Sequence, residues 1–64
     1  DPRSKATYLR IIRALDEMAK LPDRGAASSI EKQLQVLGFD GPQDTTIRRL
    51  INEARELEPD RKPQ

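Results

Sequence analysis

Sixty-four residues make one small domain at most, near the size at which a single apolar core is only just self-sufficient. Hydrophobic residues are 34% of the chain, charged residues 36% and aromatics 3%, so any core is aliphatic; twelve Lys+Arg against eleven Asp+Glu leave a net charge of +1 and no global field. The absence of Cys excludes disulfides and thiolate chemistry, and the absence of His removes the usual neutral-pH proton shuttle and the commonest metal ligand.

A first helix is expected from about Ser4 to Leu21. Tyr8, Ile11, Ile12, Leu15, Met18 and Ala19 recur at three- and four-residue steps and form the expected buried stripe. Ser4 is its natural N-cap, Asp16 and Lys20 form an i,i+4 pair, and Pro22 ends it. Pro22-Asp23-Arg24-Gly25 reads as a turn.

A second helix is expected over 28–37. Ser28 and Glu31 have capping-box spacing, and Ile30, Leu34 and Leu37 give the inward line. Gly38 followed by Phe39 has the form of a C-terminal stop, with Gly in the left-handed position and the next apolar residue folding back. Asp40-Gly41-Pro42-Gln43 supplies the connection.

A third helix, 45–57, opens at Asp44 or Thr45, either of which can cap. Ile47, Leu50, Ile51, Ala54 and Leu57 give the cleanest periodicity in the chain. Residues 58–64 contain no apolar side chain and two prolines, and read as a disordered tail or linker. No stretch alternates as a strand would. The expected architecture is all-α, a three-helix domain over 1–57.

Little here suits catalysis. Ser28 and Ser29 lack a positioned base and are better explained as caps. The Gly25-to-Ser29 approach could let a helix N-terminus hold an anion, but it lacks the spacing and the Lys of a phosphate loop, which argues against nucleotide binding. Asp40, Asp44 and Glu53 lack the alternating ligands of a calcium loop, and Asp16 and Glu17 point in different directions from a helix. The expectation is a non-enzyme without metal, cofactor or small-molecule substrate. Apolar runs of two or three residues are far below the ~20 of a membrane span, and no secretory signal core is visible. An intracellular location, cytoplasmic or nucleoid/nuclear, is expected. The chain does not begin with Met, as an excised piece of a longer protein would not.

The segment from Gln43 to Arg55 carries the functional signal. With Ile47, Leu50, Ile51 and Ala54 inward, Thr45, Thr46, Arg48, Arg49, Asn52 and Arg55 face out. Thr hydroxyls and first-turn amides hold phosphates, Arg grips guanine bidentately and Asn does so with adenine. This pattern, over Ile30 to Leu57, resembles a helix-turn-helix domain whose last helix is the recognition helix. The resemblance implies a DNA-binding module of a regulatory or mobile-element protein, reading double-stranded DNA through the major groove. Arg48, Arg49 and Asn52 would read base edges and Thr45, Thr46 and Lys32 hold phosphates, with Arg55 a further DNA-binding residue on the same outward face. The Gly38-to-Gln43 connection is longer than that family's tight turn. The order Leu37-Gly38-Phe39, Gly41-Pro42, Thr45-Thr46, Arg48 also resembles LEM and other helix-extension-helix modules, which bind DNA or a DNA-associated protein.

Charge divides along the chain. Residues 26–58 hold four positive against six negative groups, a net of −2, and residues 1–25 hold six against four, a net of +2. A basic N-terminal arm against the DNA backbone would offset the acidic half. The competing expectation is a helical protein-interaction or dimerisation module with no nucleic-acid contact. Its candidate contacts are Tyr8, Leu9 and Val36, of which Leu9 and Val36 sit off the main stripes; edge-of-core packing is the alternative for each.

Overall fold

The computed structural model describes residues 2–62; Asp1 of the expected domain and the last two positions of the expected tail lie outside them. Three helices follow one another: α1 (Pro2–Ala19), α2 (Ala26–Val36) and α3 (Asp44–Arg55). Each begins about two residues or fewer from its expected start. α3 is the centre of the arrangement: α1 and α2 both pack on it, and they do not pack on each other.

The core is small. Leu9, Ala26, Ala27, Ile47, Ile51 and Ala54 are buried, with Ile12, Leu21, Ile30 and Leu34 packed around the Ala26–Ala27–Ile47–Ile51 cluster. Ala54 is fully covered. Alanines at 26 and 27 keep the surface of α2 low where it faces Ile47 and Ile51, so burial comes from close approach more than from side-chain bulk.

Both helix-stop signals work through the same hydrogen bonds. At the end of α2, Gly38 adopts φ 94°, its N–H donates to the Gln35 carbonyl (3.0 Å) and the Phe39 N–H donates to the Leu34 carbonyl (2.9 Å). This is the stop expected from Gly38-Phe39. α1 ends the same way at Lys20, with φ 54°; the Lys20 and Leu21 N–H groups donate to the Glu17 (3.3 Å) and Asp16 (3.2 Å) carbonyls. The turn delivers Leu21 to the core edge.

The starts differ from expectation. α2 begins at Ala26 behind Gly25 (φ 84°), with no side-chain cap, so Ser28 sits inside the helix. Glu31 does not close a capping box: its Oε2 accepts the Asp44 N–H across the connection, at 2.9 Å. α3 therefore starts after Gln43, capped by a residue of another helix, and neither Asp44 nor Thr45 serves as its N-cap.

The largest departure is which side of α1 faces inward. Leu9, Ile12, Arg13 and Asp16 turn towards α3, while Tyr8, Ile11, Leu15 and Met18, expected as the buried stripe, are exposed. Leu9, for which a surface contact and edge-of-core packing are both open in the sequence, is core; Leu37, expected inside, is exposed. The reason is electrostatic. Asp16 pairs with Arg55 of α3, and Arg13 donates to the last carbonyls of α3 as well as to Glu17 of its own helix; satisfying these groups across the contact fixes the rotation of α1 about its axis. Residues 57–62 form no regular element, and Asp60 folds back to pair with Arg10 of α1 at 3.3 Å.

Candidate nucleic-acid interface

Ile47, Ile51 and Ala54 bury one side of α3, so its spacing leaves a row open to solvent on the other. Thr45, Arg48, Arg49, Asn52 and Glu56 occupy that row, all exposed. Arg48 reaches back to Asp44 (Nη2 to Oδ2, 3.6 Å), a solvated i,i+4 pair that leaves its guanidinium accessible. Thr46 lies at the side of the row, half-buried, and Lys32 is exposed on α2 away from it.

Beside the row, the N-terminus of α2 opens on the same cleft. Arg24, Gly25, Ser28, Arg48 and Asn52 line it, with Ile51 and Arg55 behind. The first-turn amides of α2 have no side-chain cap, and the positive end of a helix dipole faces the cleft that Arg24 and Arg48 border. Hydroxyl, amide and guanidinium donors thus converge where an anion would be held from several directions. The surroundings are mixed in sign, since Asp23 lines the cleft and Glu56 stands at the end of the row. Neither Arg24 nor Ser28 is among the site residues expected from the sequence, which offers the Gly25-to-Ser29 approach as an anion site only to set it aside. Ser28 carried a plausible structural role in the sequence, and no local pattern places residue 24 opposite residue 48.

Arg55 is placed elsewhere than expected. Its Nε donates to Asp16 Oδ2 at 2.8 Å and its Nη2 to Asp16 Oδ1 at 2.9 Å, a bidentate pair with the carboxylate side chain only 8% exposed. Nη2 also donates to the Pro22 carbonyl at 3.0 Å. One guanidinium thereby ties α3 to α1 and to the connection after it, and the face expected to carry Arg55 ends at Asn52 and Glu56. The Arg55 hydrogen bonds hold the Asp16 carboxyl below its ordinary pKa, against burial, which pushes it up; the charges of Arg55 and Arg13 add to the lowering. Arg55 is raised by the same hydrogen bonds.

Arg13 was not expected to have a role either. Its Nη1 donates to the carbonyls of Ala54 (3.2 Å), Arg55 (3.0 Å) and Leu57 (3.4 Å), and its Nε to Glu17 at 2.7 Å. It satisfies the last carbonyls of α3 at the negative end of that helix. Both ends of α3 are therefore capped from other helices, by Glu31 and by Arg13. Such a helix presents Arg48, Arg49 and Asn52 from a fixed platform.

No protein-family model, curated protein or solved structure matches this chain. Among the described residues no helix is long and apolar enough to cross a membrane.

Proposed function

We propose that the chain is a non-enzymatic DNA-binding module that acts inside the cell. α3 is its recognition helix, and the N-terminus of α2 is its phosphate anchor. The observation that carries this reading is a single cleft shared by the uncapped start of α2, Arg24, Ser28, Arg48 and Asn52. Helix N-terminal amides and hydroxyls are phosphate ligands, and Arg and Asn on the adjoining helix are the side chains that read base edges. Arg49 and Thr45 extend the row along the exposed side of α3. The site is therefore Thr45, Arg48, Arg49 and Asn52, with Arg24 and Ser28 added; Lys32 and Thr46 are peripheral and Arg55 is structural.

The test is a salt titration of binding to duplex DNA. The wild-type chain should lose affinity steeply as salt rises, because neutralised phosphates release counterions. Arg48→Ala with Arg49→Ala should weaken binding by tenfold or more and flatten the salt slope, with the helical spectrum unchanged. Undetectable binding at low salt, or affinity that survives the double substitution, overturns the reading. A protein-interaction module is the second reading, favoured by the apolar residues that α1 leaves exposed; it predicts no DNA binding under any salt.

A further inference from the structure

The outward side of α1 is largely apolar and free of charge. Tyr8 (63% exposed), Ile11, Leu15 and Met18 (78% exposed) run along it at steps of three, four and three, the seam spacing of paired helices. At about 100° per residue, the arc from Ala14 round through Thr7, Met18, Ile11, Ser4, Leu15 and Tyr8 to Ala19 covers about 140° of the helix without one charged side chain, Thr7 and Ser4 being its polar members. The buried side of the same helix carries Leu9, Ile12, Arg13 and Asp16. α1 thus turns a mixed side, half apolar and half charged, to its own domain and an uncharged, largely apolar side to solvent.

We infer that this seam is covered by a second copy of the chain, with the two α1 helices antiparallel. The spacing is palindromic: positions 8 and 18, and 11 and 15, are symmetric about Arg13. A two-fold axis at that level sets Tyr8 against Met18 of the second copy and Ile11 against its Leu15, filling the seam along its whole length. A closed two-fold contact of this isologous kind leaves no unsatisfied edge. Charge also favours the antiparallel sense. It brings Arg10 of one copy near the level of Glu17 of the other, whereas a parallel pair sets Arg10 level with Arg10 and Glu17 level with Glu17. From their exposed fractions the four seam residues offer about 500 Å² per copy, so complete coverage of the seam in a pair removes about 1,000 Å², the lower bound for a specific interface. The inference is independent of DNA binding, since no seam residue belongs to the α2–α3 cleft.

Sedimentation velocity on the full chain without DNA tests it. The 7.3 kDa chain should run at twice that mass at tens of micromolar and dissociate on dilution. Leu15→Lys should return it to monomer with its helical spectrum retained; Arg49→Ala, on the other side of the domain, should leave the dimer intact. The chain has no cysteine, so orientation can be read by oxidation. A chain carrying both Tyr8→Cys and Met18→Cys should form covalent dimers, and one carrying Tyr8→Cys alone should not. Monomer at every concentration, a dimer indifferent to Leu15→Lys, or cross-linking by Tyr8→Cys alone overturns the inference. If Leu15→Lys unfolds the chain, Ile11→Gln, a milder uncharged substitution, should weaken the dimer at least tenfold; a dimer that Ile11→Gln leaves unchanged overturns it equally.

Discussion

At position 55 a guanidinium meets a carboxylate that is almost out of water, and at position 49 another, six residues earlier on the same helix, meets only solvent and the row beside it. The first is fixed by a bidentate pair across 39 residues of sequence; the second is available to a ligand. Asp16 therefore couples the fold to pH. Its folded pKa is lowered, so its contribution is complete above about pH 5 and is lost as pH falls through the folded value, where the unfolded chain already holds the proton. Asp16→Asn should lower the melting temperature at neutral pH, and the gap between variant and wild type should close in acid; thermal melts from pH 7 to 3 check this. Lys20 supplies a second test. With φ 54° it holds a left-handed conformation that costs a side-chain-bearing residue about 1 kcal/mol. Lys20→Gly should stabilise the domain by about 0.5–1 kcal/mol in chemical denaturation.

Among the elements, the three helices and the Gly38 stop were legible in the sequence because the signals are local: periodicity, Pro22, Gly38-Phe39. The rotation of α1 was not. Its apolar residues lie on two sides, Leu9 and Ile12 on one and Tyr8, Ile11, Leu15 and Met18 on the other, and the longer row invites the wrong choice. What decides is the satisfaction of Asp16 and Arg13 by α3, a pairing that no window of sequence contains. The exposed row of α3 was legible for the opposite reason, since Ile47, Ile51 and Ala54 leave one answer; Arg24 and Ser28 were missed because the cleft joins two helices. The caps from other helices make α3 sensitive to residues outside it. Glu31→Ala removes the acceptor at Asp44 and should cost about 1 kcal/mol. Ala54 is fully covered, so Ala54→Leu should cost about 1–3 kcal/mol through overpacking, seen as a lowered denaturation midpoint.

For the molecule as a whole, the balance of inside and outside is unusual. Among the described residues Leu9, Ile47 and Ile51 are the large apolar side chains that are buried, while Tyr8, Ile11, Leu15, Met18, Val36, Leu37 and Phe39 are exposed. A domain with so little core gains stability from whatever covers its outer seam, and its melting temperature should rise with protein concentration if a second copy does so. The same geometry keeps two tasks apart, with self-association on the outer side of α1 and anion and base contacts on α3 and the start of α2. Amide chemical-shift mapping during titration with duplex DNA at low salt separates these surfaces in one measurement. The account predicts that signals from Arg24 to Ser28 and from Thr45 to Asn52 move together while those of Ile11 to Met18 stay in place. Shifts confined to α1, or a spectrum that DNA leaves unchanged, would contradict it.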